Sequence, residues 1–136
     1  MFTHDTQIRI RYSETDQMGY CYYGNYAQFF EIGRVETLRA LGVSYKELEE
    51  KGIMLPVLSY EVKFIKPAFY DDLVTIKTII RTIPRARIDF EYELYNENNL
   101  LLTTAHTTLV FVQKGTMKPC PAPAEVVEKL EALFKG

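Results

Sequence analysis

The residues best suited to chemistry lie in one run, Ser13-Glu14-Thr15-Asp16-Gln17-Met18-Gly19-Tyr20-Cys21-Tyr22-Tyr23-Gly24-Asn25-Tyr26. Asp16 offers a carboxylate that can attack an acyl carbonyl or draw a proton from a water. The run ends where an apolar-periodic segment begins, and a helix N-terminus presents unpaired amides and the positive end of its dipole. A carbonyl oxygen set against such amides is polarised, as in an oxyanion hole. Both halves of an acyl-transfer site are therefore present in one loop. From spacing alone, an aspartate ahead of a helix is more often a loop or cap residue than a catalyst.

Rival groups are weaker. Glu14 reads as a solvated strand-end residue, and Glu31 as a helix residue in a surface or interface ion pair, with catalysis its minor alternative. Cys21 has no base near it in sequence and reads as simply buried. His106 stands mid-strand among threonines and reads as a hydrogen-bonded structural histidine; with only His4 besides, no metal site is expected. Tyr22, Tyr23 and Tyr26 suit the wall of an apolar pocket, although for Tyr26 ordinary packing is the better reading. Leu73 to Ile88 carries Lys77, Arg81, Arg85 and Arg87 and no acid. Such a cluster fits phosphate groups as well as it fits a solvated sheet face, since Arg presents forked donors. Lys63 and Lys66 are weaker additions of the same kind.

The elements that must position these groups follow from periodicity. Ile8, Ile10 and Tyr12 alternate with Arg9 and Arg11, predicting a strand over Gln7 to Ser13. Asn25 is expected to cap a long helix reaching about Leu41, with Gln28 in a capping-box-like position. Tyr26, Phe29, Phe30, Gly33, Thr37, Leu38 and Leu41 form its broad buried face. Gly42 stops it, and Ser44 to Lys51 predicts a short second helix. Four strands follow: one on the alternation Leu58, Tyr60, Val62, Phe64, then Leu73 to Ile83, Arg87 to Leu94, and Leu100 to Gln113 after the turn Asn96-Glu97-Asn98-Asn99. Thr103 to Thr108 predicts a central strand covered on both faces. Val126, Val127, Leu130 and Phe134 predict a terminal amphipathic helix. One long helix against one antiparallel sheet is a two-layer α+β arrangement.

The bulk numbers agree with one domain over residues 1–136, 47% hydrophobic and 13% aromatic. A net charge of −2 gives no basic excess for nucleic acid. No apolar run approaches a membrane span, no signal peptide is visible, and the two cysteines lie far apart, so a reduced, cytoplasmic protein is expected.

Asp16-Gln17-Met18-Gly19, then Tyr22-Tyr23-Gly24-Asn25-Tyr26 and Phe29-Phe30-Glu31-Ile32-Gly33-Arg34, resemble the 4-hydroxybenzoyl-CoA thioesterase-like hotdog family. The similarity is greatest to the acyl-CoA thioesterase branch associated with the Tol–Pal envelope system. Lys66-Pro67-Ala68-Phe69-Tyr70-Asp71-Asp72, Tyr92 to Asn96 and Ala105 to Val112 extend it over most of the chain in order. The resemblance implies a hotdog fold, a long helix wrapped by five antiparallel strands, assembled as a homodimer or a homotetramer of hotdog dimers with sites at the dimer interface. It implies hydrolysis of an acyl-CoA, with Asp16 as nucleophile or general base and the Tyr23 amide polarising the carbonyl. Tyr22, Gly24, Asn25, Lys63, Lys66, Arg85 and Arg87 are the substrate-binding candidates. No metal and no resident cofactor are implied, because coenzyme A arrives with the substrate. Many members of the Tol–Pal branch carry His at position 23; Tyr23 leaves the backbone role intact and removes any side-chain role. A non-catalytic acyl-CoA-binding scaffold is the alternative.

Overall fold

A computed structural model describes residues 1–135. Five strands form one antiparallel sheet in the order β1-β4-β5-β6-β3. They are β1 (Phe2–Arg9), β3 (Val57–Phe64), β4 (Leu73–Ile80), β5 (Arg87–Tyr95) and β6 (Leu101–Val110). A two-residue pair, β2 (Ile53–Met54) with β7 (Val112–Gln113), makes a second small sheet that periodicity could not reveal. Helix α1 (Tyr26–Ala40) packs on β1, β4 and β5. Helices α2 (Tyr45–Glu50) and α3 (Ala124–Lys135) complete the chain. Among the described residues no helix is long and apolar enough to cross a membrane.

The period-2 pattern of β5 decides which face is covered. Ile88, Phe90, Tyr92 and Leu94 are buried toward α1, while Arg87, Asp89, Glu91 and Glu93 face outward. Phe29, Phe30 and Leu38 of α1 meet that inner face together with Ile76 and Ile80. Contact is close at Gly33: a Cβ there would lie 2.7 Å from Thr78 Oγ1 and 2.9 Å from Ile76 Cγ2. Since α1 rests on β1, β4 and β5, edge strand β3 is left exposed, including Val57, Leu58, Tyr60 and Phe64.

Several boundaries differ from the pattern. The first strand ends at Arg9, and Tyr12–Glu14 forms a single 3-10 turn where alternation had suggested more strand. The cause is local: Glu14 Oε1 accepts the Arg11 amide at 2.7 Å, closing a turn that competes with the ladder. Asn25 is not a side-chain cap. It is helical (φ −82°, ψ −16°), and a 3-10 turn over Tyr23–Asn25 leads into α1. Ser44 does cap α2, its Oγ accepting from Glu47 N at 3.1 Å. Strand β6 is an interior strand, as expected, paired with β5 on one side and β3 on the other. Its Thr103, Thr107 and Leu109 are buried, while Thr104, His106 and Thr108 are half-covered.

Candidate active site

The loop carrying Asp16 is built by its own backbone. Asp16 N donates to Tyr20 O at 2.8 Å, Gly19 N to Asp16 O at 3.0 Å, and Thr15 bridges to Cys21. Gly19 takes φ +82°, a conformation that L side chains resist, and this turns the chain back. The loop is pinned to the turn after β3 through Cys21 N to Ala68 O at 2.7 Å and a Tyr20–Phe69 bridge. That turn is fixed in its own right, because Asp72 Oδ2 accepts from Phe69 N at 2.9 Å.

Inside this frame the Asp16 carboxylate is held by one oxygen. Oδ1 accepts from Met18 N at 2.9 Å and Tyr20 N at 3.3 Å. Oδ2 has no partner among the described residues. Asp16 lines a cleft of about 250 Å³ with Met18, Tyr20, Cys21, Tyr23, Tyr26, Phe64, Ile65, Lys66 and Pro67. The walls are largely aromatic, with Tyr26 and Phe64 edge to face at 5.0 Å and Tyr23 and Phe64 at 6.4 Å. Burial pushes the Cys21 thiol up to about 11, with Glu14 adding to the effect. Burial likewise takes the Tyr26 hydroxyl up to about 12. The inner wall of the cleft is therefore uncharged at neutral pH, and Cys21 is a thiol rather than a nucleophilic thiolate.

The other half of the site is backbone. Tyr22 N donates to Glu14 O at 2.7 Å and Asn25 N to Tyr22 O at 3.0 Å. Between them, the amides of Tyr23 and Gly24 find no acceptor among the described residues. They stand at the entrance of α1, where the helix dipole adds positive potential. A carboxylate oxygen without a partner and amides without acceptors thus share one short loop beside an apolar cleft.

Of the sequence candidates, Asp16, Tyr23 and Lys66 line this cleft. Tyr22 stacks obliquely on Tyr23 at 4.8 Å, and its ring crosses Gly24 so closely that a Cβ there would sit 2.5 Å from it. The Asn25 side chain turns back and donates to Glu14 O at 2.9 Å. Lys63 faces a separate groove on the outer sheet with Glu61, Glu91 and His106. Arg85 lines another beside Pro119 and Cys120. Arg87 pairs with Val110 at the far end of the sheet from Phe64, seven residues along β5 from Leu94, or roughly 23 Å. Within one chain, then, Arg85, Arg87 and Lys63 do not join Asp16.

Sequence reasoning missed the cleft-lining Met18, Tyr20, Phe64, Ile65 and Pro67, whose types look like ordinary packing until the loop closes on the turn after β3. It also misread Glu14. That residue is buried, and its carboxylate accepts from Arg11 N and pairs with the Arg11 guanidinium at 3.3 Å. The i, i+3 spacing of Arg11 and Glu14 was the available signal. Glu31 is exposed and makes no ion pair among the described residues; the pair on that helix is Glu36 with Arg39 at 3.5 Å. His106 Nε2 lies 3.2 Å from Asp89 Oδ1, as a hydrogen-bonded structural histidine would.

Known proteins share the fold. Over 120 residues the chain is 34% identical to the acyl-CoA thioesterase YbgC of Haemophilus influenzae, covering 88% of each chain. It is 30% identical over 124 residues to the acyl-CoA thioester hydrolase YbgC of Escherichia coli O157:H7, covering 91% of this chain and 92% of that one. The crystal structure of DHNA-CoA thioesterase from Staphylococcus aureus superposes with a TM-score of 0.91 at 37% identity, over 99% of this chain and 95% of that one. A 4-hydroxybenzoyl-CoA thioesterase complex, at 22% identity and a TM-score of 0.84, shares the hotdog fold. The family model of the thioesterase-like superfamily matches residues 10–130, and the chain belongs to that superfamily.

Proposed function

We propose that the protein hydrolyses acyl-CoA thioesters at the Asp16 cleft. The observation that carries this reading is the pairing of the unpartnered Asp16 Oδ2 with the acceptor-free Tyr23 amide beside one apolar cleft. The acyl group lies in the cleft against the aromatic wall of Tyr23, Tyr26 and Phe64, and the thioester oxygen receives the Tyr23 N–H. Asp16 then acts in one of two balanced ways. As nucleophile, Oδ2 attacks the carbonyl carbon, the C–S bond breaks, and the thiolate leaves and takes a proton from solvent. Water then opens the acyl-aspartyl anhydride, releasing the acid and restoring the carboxylate. As general base, Asp16 takes a proton from a water that itself attacks. Neither route calls for a resident cofactor or metal, and coenzyme A comes and goes with the substrate. A reduced, cytoplasmic setting suits such substrates and the two free cysteines.

The assembly completes the site in this reading. Edge strand β3 has an unpaired side and exposed apolar residues, and an isologous pairing of two such edges closes both. An antiparallel pairing about the middle of β3 sets the Phe64 end of one copy against the Val57 end of the other. The Arg85 and Arg87 end of the second copy then approaches the first copy's Lys66 and Asp16, where the phosphates of coenzyme A need cations. Sedimentation should give a dimer or a pair of dimers; a monomer at micromolar concentration rules this arrangement out.

The test of activity is free-thiol release from short, long and aromatic acyl-CoAs, comparing the protein with Asp16→Asn. Saturable turnover should fall at least about a hundredfold in the variant, the scale of a lost acid–base or nucleophilic group. Persistent turnover in a folded variant removes Asp16 from the mechanism. Absence of turnover with retained ligand binding in the unmodified protein identifies a scaffold instead. Label from heavy-oxygen water entering Asp16 in a single turnover marks the nucleophilic route.

A further inference from the structure

We infer that Asn25 is a positioning residue, fixing the Tyr23 amide relative to Asp16 through the backbone carbonyl of Glu14; this rests on the thioesterase reading above. Two hydrogen bonds converge on that carbonyl, and a third holds the residue that carries it. Glu14 O accepts Tyr22 N at 2.7 Å from the strand leaving the Asp16 loop. It also accepts Asn25 Nδ2 at 2.9 Å from the first turn before α1. Glu14 itself cannot drift, because its buried carboxylate is tied to Arg11 N at 2.7 Å.

The consequences are geometric. Asp16 follows Glu14 by two residues, and Tyr23 stands between the two donors that Glu14 O holds. Both sides of the reacting centre are thereby hung from one oxygen. The two donors that flank Tyr23 and Gly24, Tyr22 N and Asn25 Nδ2, occupy both acceptor positions of Glu14 O, while the Tyr23 and Gly24 amides have no acceptor among the described residues. Asn is suited to this task in a way that Ser or Asp is not. It supplies an N–H donor at the reach required while its own backbone stays helical. Asn25 is absent from the lining of the Asp16 cleft, so its influence on the reaction runs through Glu14 and Tyr23.

Asn25→Asp tests this with nearly the same shape. The carboxylate cannot donate, and it sets an acceptor against Glu14 O. Once protonated, the carboxyl regains an O–H donor. At pH 8 we expect kcat to fall at least about tenfold with KM within about threefold, as for a misplaced transition-state contact. The ratio of variant to unmodified kcat should then climb as pH falls toward 5. Glu14 with Arg11, and Cys21, are the charged and titratable groups around the position, and Asn25→Ala, which neither donates nor titrates, should give a ratio that stays flat with pH. Hydrogen exchange gives a readout that needs no turnover: the Tyr22 amide should exchange faster in Asn25→Asp at pH 8 and recover at pH 5. A rise in KM with kcat intact would overturn the inference and make Asn25 a substrate contact. A pH-independent ratio for Asn25→Asp, or unchanged Tyr22 exchange, would overturn it as well. If no acyl-CoA is turned over by the unmodified protein, the thioesterase reading fails, while the exchange experiment still decides whether Asn25 holds the loop.

Discussion

Asp16 does not act by being unusual in itself; its loop makes it useful. Two amides fix one carboxylate oxygen, so the other is presented in a single direction without the entropy cost of finding it. Gly19 closes that turn at φ +82°, with nothing within 4 Å of where a Cβ would stand. Replacement there is consequently a probe of backbone strain alone. Asn tolerates the left-handed region, Ala costs about 1–2 kcal/mol, and a β-branched residue costs more. Turnover should decline in the order Gly19, Asn, Ala, Val, with equal folded signal by circular dichroism. Val at full activity would show that the loop does not depend on this turn. The Asp16 run was legible in the sequence because its residue types and its place before a helix coincide with a family pattern. Glu14 and Asn25 were not, because their roles are set by a carbonyl eleven residues from Asn25, and hydrogen bonds to backbone leave no mark on side-chain periodicity.

At the scale of elements, α1 and β4 set the geometry that the loop inherits. The helix begins where the Tyr23 amide stands, so any displacement of α1 moves that amide. Gly33 permits the closest approach, facing Thr78 Oγ1 and Ile76 Cγ2. Gly33→Ala must push the helix outward or force β4 to yield, because both neighbours are buried. We expect a loss of about 1–3 kcal/mol, typical of overpacking, despite the higher helix propensity of alanine. Urea unfolding checks it, and a stabilised variant would mean that α1 has slack against the sheet. The long strands and α1 could be read from the chain because their periods of two and 3.6 run for many residues. Strands β2 and β7, of two residues each, could not, since no period can be established over so short a run. Their pairing joins segments far apart in sequence.

The whole molecule hides a set of protonated groups whose ionisation opposes folding. Burial pushes Cys21 from 9.0 up to about 11, and Tyr26 and Tyr45 from 10.0 up to about 12. Burial also raises Tyr92 and Tyr60. For each, the folded state keeps its proton at a pH where the unfolded chain has lost it. Stability from these groups is therefore complete below about pH 9, the unfolded value for the thiol, and is lost as pH climbs through 11 and 12. Urea midpoints should be level from pH 7 to 9 and then fall steeply. Tyr45 isolates one contribution, because its buried hydroxyl has no hydrogen-bond partner among the described residues. Burial outweighs the nearby Arg34 guanidinium, which acts in the opposite direction. Tyr45→Phe removes an unsatisfied polar atom and a titrating group together. It should leave stability at pH 7 unchanged or higher and make the decline between pH 10 and 12 shallower. A variant that loses stability at pH 7 and keeps the full alkaline slope would show that the Tyr45 hydroxyl is bonded in solution and that the slope arises elsewhere.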